Sequence, residues 1–300
     1  MSPPFLSRGR RFVIPLCAWL GLFACLSRAD EIRIISLSPS LTELICDMGL
    51  TGLLAGRSSA CDYPPSVVSV PVVGDFGRPN WERIIQLRPT VVVATDLERP
   101  AMMRRLREEG IATLLLPCEG WEPLLAAARA IAEAAGQSQA GEEWVSRMQS
   151  RRESLQQRVS SFYAGRARPR VYAEVWGRPL TTPARDTFLS DVITLAGGDN
   201  VAASLSGKYV HISAEWVVRQ DPDVILLAYM LESGAAAANL KARVGWASMR
   251  AMRDGSICQS IPPDHLLRPG PRLMDGAEAL AEWLMQWSQT FDRGSDDPRN

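Results

Sequence analysis

The chain has 300 residues, of which 33 are basic and 33 are acidic, so its formal net charge at pH 7 is zero. This balance excludes the strongly basic character that is typical of nucleic-acid-binding proteins. Beyond the first 29 residues no apolar stretch is long enough for a membrane-spanning helix, and the length suits two domains of about 100–150 residues each.

Residues 1–29 are predicted to form a signal peptide. Its positive start comes from three arginines, Arg8, Arg10 and Arg11. The apolar run from Phe12 to Leu26 follows, and Ser27-Arg28-Ala29 offers the small residues that a signal peptidase requires. We therefore expect export to the periplasm, with a lipid anchor at Cys25 or an uncleaved anchor as alternatives. The mature chain would hold 29 basic and 33 acidic residues, a net charge of −4.

Export would also allow disulfides to form. Four cysteines remain after the signal segment: Cys46, Cys61, Cys118 and Cys258. Because no CxxC pair or metal-finger spacing occurs, the sequence leaves their pairing open.

The two halves of the mature chain show the same order of predicted elements. Each begins with a strand and an amphipathic helix, at residues 32–48 and 171–196. The closest similarity lies between 81–93 and 214–226, where a short helix, a proline and a continuously apolar strand follow one another. Glu82 precedes the first proline by seven residues, and Glu215 precedes the second by seven.

A long helix is predicted between the halves, roughly from Ser138 to Phe162, because no glycine or proline occurs between Gly141 and Phe162. Its apolar residues form a narrow stripe: Trp144, Met148, Leu155, Val159 and Phe162. We predict an α/β protein with two doubly wound α/β lobes of similar plan joined by one long helix. The predicted lobes span 30–137 and 166–290, the helix 138–165 and a disordered tail 291–300. The alternative is one large α/β domain with a long surface helix.

Catalytic and metal-binding motifs are absent from the sequence. His211 and His265 lack a metal-site spacing, and there is no GxSxG, P-loop or dinucleotide-binding glycine motif, so we expect a protein that is not an enzyme. Aromatic residues instead follow predicted strands, where a doubly wound sheet binds ligands: Phe76, Trp121, Trp176 and Tyr209. Asp264 and Arg268 lie in a proline-rich loop after the last strand. The alternative interpretations are that the aromatic residues pack in the core and that Asp264 and Arg268 form a surface ion pair.

Several blocks together resemble a known family. They are residues 35–44, Asp62-Tyr63-Pro64-Pro65, residues 80–84, Gly197-Gly198-Asp199-Asn200 and residues 213–215. The chain is similar to the periplasmic solute-binding proteins that have a helical backbone between two lobes and serve importers of cobalamin, iron siderophores and haem. The resemblance is strongest to its cobalamin-binding members.

The resemblance implies a set of site residues. The expected ligand-binding positions are Ala60, Phe76, Trp176, Tyr209, Asp264 and Arg268, and the expected permease-docking residues are Glu82 and Glu215. Three positions depart from the family pattern. Ala60 and Thr95 stand where the resemblance implies a tyrosine and a tryptophan in the cleft. Ala196 stands where it implies one cysteine of a disulfide, and only the region of the other cysteine keeps one, Cys258.

Three functions follow as hypotheses. The first is a monomeric carrier that takes a corrinoid to an inner-membrane ABC importer, with no cofactor other than the transported metal chelate. The second is a siderophore carrier that uses arginines at 78, 178 and 185, or a haem carrier that uses His211 or Tyr209 as an axial ligand. The third is an exported enzyme or a sensor-coupled scaffold on the same fold.

Overall fold

The structure is a computed structural model, and it describes residues 31–98, 100–117, 119–229 and 240–295. The predicted signal segment, with Cys25, lies outside the described residues, as do Cys118 and the last five positions. Within the described ranges no helix combines the length and the apolar character needed to cross a bilayer.

The described residues of the N-terminal lobe form six strands and four α-helices. They are β1 (Ile34–Ser36), α1 (Pro39–Asp47), β2 (Leu54–Arg57), β3 (Gly74–Asp75), β4 (Arg78–Pro79), α2 (Trp81–Gln86), β5 (Val91–Thr95), α3 (Pro100–Glu108), β6 (Ala112–Leu116) and α4 (Trp121–Ala134). A single long helix, α5 (Ser138–Phe162), follows and has the bounds that its sequence pattern predicts.

The C-terminal lobe repeats this alternation. Its elements are β7 (Arg170–Glu174), β8 (Trp176–Gly177), β9 (Leu180–Pro183), α6 (Phe188–Leu195), β10 (Asp199–Asn200), β11 (Tyr209–His211), α7 (Ala214–Gln220), β12 (Val224–Leu227), α8 (Arg250–Arg253), β13 (Ile257–Cys258), α9 (Pro263–Leu267) and α10 (Leu273–Ser295). Strand β13 is only two residues long, and Pro262 and Pro263 lie shortly after it, at the start of α9. Helix α10 extends into the segment predicted as a disordered tail.

The main sheets of the two lobes have the same topology. One has the order β2-β1-β5-β6 and the other β10-β7-β12-β13, and every pair in both is parallel. In each main sheet the strand that comes first in the chain therefore lies between the second and the third strands of that sheet: β1 lies between β2 and β5, and β7 lies between β10 and β12. This match confirms the predicted plan of two similar α/β lobes.

Alternate residues of each sheet enter different cores. Ile34 and Val171 face a core that both lobes share with α5, which we call the shared core. Ile35 faces a separate cluster on the outer side of the N-terminal sheet, and Tyr172 faces one on the outer side of the C-terminal sheet. Burial on both faces explains why these strands are continuously apolar.

Helix α5 is anchored in the shared core. Its predicted apolar stripe is buried except for Phe162, which is partly buried; Trp144 is fully inaccessible and Leu155 only 2% exposed. The indole Nε1 of Trp144 also donates to Asp47 at the end of α1, at 2.6 Å. On the other side, Arg151 pairs with Asp275 at 2.7 Å on α10. One helix thus holds elements of both halves, which favours a stiff connection between the lobes.

Candidate functional site

Trp176 and Tyr209 lie on a small antiparallel sheet of the C-terminal lobe. Its strand order is β11-β9-β8, and Trp176 and His211 both lie opposite Thr181. Residues that lie opposite each other share a face, and residues two apart on one strand share a face, so Tyr209 projects to the same side as Trp176. Both rings are partly accessible, at 48% for Trp176 and 38% for Tyr209. The predicted aromatic residues of this lobe therefore form one accessible aromatic face.

The N-terminal lobe presents Phe76 at the tip of a hairpin. Asp75 pairs with Arg78, so Phe76 and Gly77 form a two-residue turn, in which Gly77 has a φ of 72°. The ring of Phe76 is 44% exposed. Trp121 differs from these three aromatics, because it packs against the shared core and lies beneath the guanidinium of Arg152.

An ion-pair cluster joins the two lobes. Glu43 on α1 accepts from Arg272 at 2.6 and 2.8 Å and from Arg268 at 3.2 Å. Asp62, which follows β2, accepts from the same Arg268 at 2.6 Å. Arg268 and Arg272 belong to the loop between α9 and α10, so this contact ties the C-terminal lobe to the segment that carries Ala60 and Asp62.

Asp264 and Arg268 are in contact, as their spacing suggests. Oδ1 of Asp264 lies 3.0 Å from Nε of Arg268, although that buried nitrogen has no hydrogen-bond acceptor in good geometry among the described residues. The side chain of Arg268 is 14% exposed. Burial lowers its pKa, but the neighbouring carboxylates outweigh burial and raise it; Arg268 in turn lowers the pKa of Asp62. Arg268 is thus permanently charged and already paired.

Tyr63 belongs to the same cluster. Its ring lies 4.1 Å from the guanidinium carbon of Arg272 and is 43% exposed. The local sequence gives no indication of this contact, because Tyr63 and Arg272 lie far apart in the chain.

A second polar network lies at the carboxyl end of β7 and was not predicted from the sequence. Glu174 is fully buried and accepts from both terminal nitrogens of Arg243, at 2.7 and 2.8 Å. The hydroxyl groups of Tyr172 and Tyr229 donate to the same carboxylate. Glu174 lies two residues before Trp176, so this network fixes the strand end from which the aromatic face begins.

The remaining predicted positions lie outside the two polar networks. Thr95 is buried at the end of β5, and its hydroxyl has no hydrogen-bond partner among the described residues. Ala196 and Cys258 are buried, and among the described cysteines Cys46, Cys61 and Cys258 are free thiols. Nδ1 of His211 lies 3.0 Å from the hydroxyl of Thr181. Within the described ranges, no three His, Cys, Asp or Glu side chains are placed to hold a metal ion.

Glu82 and Glu215 are exposed in the first turns of α2 and α7. The cap side chains are those of Asn80, which accepts from Arg83 N, and Ser213, which accepts from Trp216 N. A hydrogen bond from its own backbone N–H lowers the pKa of Glu215, as does one with Ser213. Both carboxylates are therefore accessible charges at helix N-termini.

The family model of the periplasmic binding proteins matches residues 34–260 of this chain. The chain belongs to the periplasmic binding protein family. It is 29% identical, over 83% of its length and 79% of the relative, to an uncharacterized ABC transporter substrate-binding lipoprotein, YvrC, of Bacillus subtilis. It is also 29% identical to the vitamin B12-binding protein of Salmonella typhimurium, over 85% of this chain and 90% of that one.

The fold of the chain is also similar to the folds of solved structures. A periplasmic heme-binding protein from Pseudomonas aeruginosa superposes with a TM-score of 0.75 at 26% identity, covering 85% of this chain and 93% of that one. The two lobes and the helix between them are therefore the fold of this family.

Proposed function

We propose that this chain is an exported, non-catalytic substrate-binding protein that binds a corrinoid, such as cobalamin, and delivers it to an ABC importer. The observation that carries the proposal is the accessible aromatic face of Trp176 and Tyr209, in a chain whose predicted ligand-binding arginine, Arg268, is already charge-paired. A corrin is a broad ring with apolar faces and an amide rim. Aromatic faces cover such a ring at low entropic cost, and a few polar groups orient its edge.

The similarity to curated proteins supports the same ligand class. Vitamin B12-binding proteins recur among the relatives, at 25–29% identity over most of the chain. The relative YvrC, an ABC transporter substrate-binding lipoprotein, supports delivery to an importer.

Haem or a ferric siderophore is the second candidate, because a haem-binding protein has the same fold. His211 is exposed, but its Nδ1 already lies beside Thr181. Arg78, Arg178 and Arg185 are exposed and would be the arginines available to an anionic chelate. The paired state of Arg268 favours the neutral amide rim of a corrinoid over either anion.

The visible absorption spectrum of the chain, purified from cells supplied with cobalamin, haem and ferric siderophore, tests this proposal. We expect the bands of a corrinoid in a one-to-one ratio with protein. A haem Soret band, or the charge-transfer band of a ferric chelate, with no corrinoid band would contradict it.

A further inference from the structure

Every nitrogen of the Arg268 guanidinium faces a carboxylate. One terminal nitrogen donates to Asp62 at 2.6 Å and to Glu43 at 3.2 Å, and the other reaches Asp62 at 3.3 Å. Nε lies 3.0 Å from Asp264. Asp62 thus occupies both terminal nitrogens, which form the edge that would hold a ligand carboxylate in a bidentate fashion.

The cluster has an excess of negative charge. Glu43, Asp62 and Asp264 supply three carboxylates, whereas Arg268 and Arg272 supply two guanidinium groups. Glu43 is buried, with a side-chain exposure of 2%, but the side chain of Asp62 is 60% exposed. Asp62 is therefore the outermost carboxylate and comes from the opposite lobe to Arg268.

From this geometry we infer that Asp62 determines the charge selectivity of the cleft, by neutralising Arg268 and rejecting chelates with a carboxylate rim. The inference rests on the proposed function and names the rim chemistry that the same site accepts. A neutral amide can donate to the outer oxygens of Asp62, whereas a carboxylate must displace Asp62 from Arg268 or lie against it as a like charge.

The experiment compares two ligands that differ by one charge. Cyanocobalamin and its monocarboxylates, in which a single rim amide has been hydrolysed, are titrated into the natural chain and into Asp62→Asn. The natural chain should bind the amide form more tightly than any monocarboxylate. Asp62→Asn should narrow that ratio by about fivefold or more for at least one of them, the effect of one like charge close to the surface.

Asp75→Asn is the matched control. It removes the same charge from the same lobe, but Asp75 accepts from Ser59 and does not touch Arg268. An unchanged ratio of amide to monocarboxylate affinity in Asp62→Asn would overturn the inference, and so would an equal change of that ratio in Asp75→Asn. In either case, binding of cyanocobalamin by the natural chain would leave the proposed function intact. A natural chain that binds dianionic haem and no cyanocobalamin would overturn both.

Discussion

Glu82 and Glu215 occupy the same position in two copies of one structural unit. Each is the second residue of a short, side-chain-capped helix. The residue before the following proline has a positive φ in both copies, 45° at Arg88 and 40° at Asp221. Since the two main sheets also share one strand order, these carboxylates are related by the internal repeat. A pair of equivalent acidic groups suits a permease with two equivalent basic groups.

Replacing both residues, Glu82→Gln with Glu215→Gln, should weaken docking to the permease and leave ligand affinity within twofold of the natural chain. We expect the two exposed charges to steer docking and to contact the permease, so docking of the natural chain should also weaken as salt rises. Binding to permease in nanodiscs at several salt concentrations measures both effects.

The matched control removes two exposed charges elsewhere, Glu133→Gln on α4 with Glu153→Gln on α5. Normal docking and uptake by the Glu82 and Glu215 double variant would show that these residues only stabilise their helices. Equal weakening in the control would point to net charge alone.

Helix α5 should tolerate proline only at its first residue. Leu155→Pro should lower the free energy of unfolding by about 3 kcal/mol or more, because it removes a hydrogen bond and a fully packed side chain in a helix interior. Ser138→Pro, at the first helical position, should change it by less than about 1 kcal/mol. Urea unfolding measures both; equal values for the two variants would mean that α5 does not connect the lobes as described.

Arg243→Met should destabilise the protein by about 3–5 kcal/mol, because it leaves the buried carboxylate of Glu174 without its counter-charge. Adding Glu174→Gln to that variant should restore part of the loss. Arg253→Met, which removes an exposed arginine that donates to Ser248 O, is the control. A double variant that is as unstable as the sum of the two single variants would show that Glu174 and Arg243 act independently.

Glu119 should make stability decline as pH rises from acid to neutral. Burial raises the pKa of Glu119, and this outweighs the lowering effects of Lys208 and of the Phe188 N–H, which lies 3.4 Å from its Oε2. A raised pKa in the folded state means that the contribution is complete below the unfolded value, about 4.3, and is lost as pH rises through the folded value. Urea titrations of the natural chain and Glu119→Gln should therefore agree in acid and diverge towards neutral pH, with the variant more stable.

The matched control is Glu122→Gln, an exposed glutamate in the first turn of α4. A difference between Glu119→Gln and the natural chain that grows as the pH falls would contradict the sign of this effect.

The fold follows from short-range patterns. The stripe from Trp144 to Phe162 repeats at helical spacing, and the chain around it contains no helix-breaking residue before the predicted end, so the bounds of α5 agree with the structure. The continuously apolar strands, such as Val91–Thr95, indicate parallel sheets that are covered on both faces. These signals are local, and the sequence displays them directly.

The polar clusters do not follow from local patterns. Glu43 and Arg272 are 229 positions apart, and Glu174 and Arg243 are 69 apart, so only the folded topology brings them together. Arg268 was predicted to bind ligand, a role that remains a prediction, but the sequence did not indicate that Asp62 pairs with it. The available signal was the position of Asp62 after the parallel strand β2. The carboxyl ends of the strands in both sheets face the ligand side of such folds.

Calorimetric titration of residues 30–300 with cyanocobalamin, haem and a ferric siderophore tests the central claim most directly. The account predicts saturable one-to-one binding of cyanocobalamin that is tighter than binding of either anionic chelate. No heat with cyanocobalamin, together with saturable binding of haem or the ferric chelate, would contradict it.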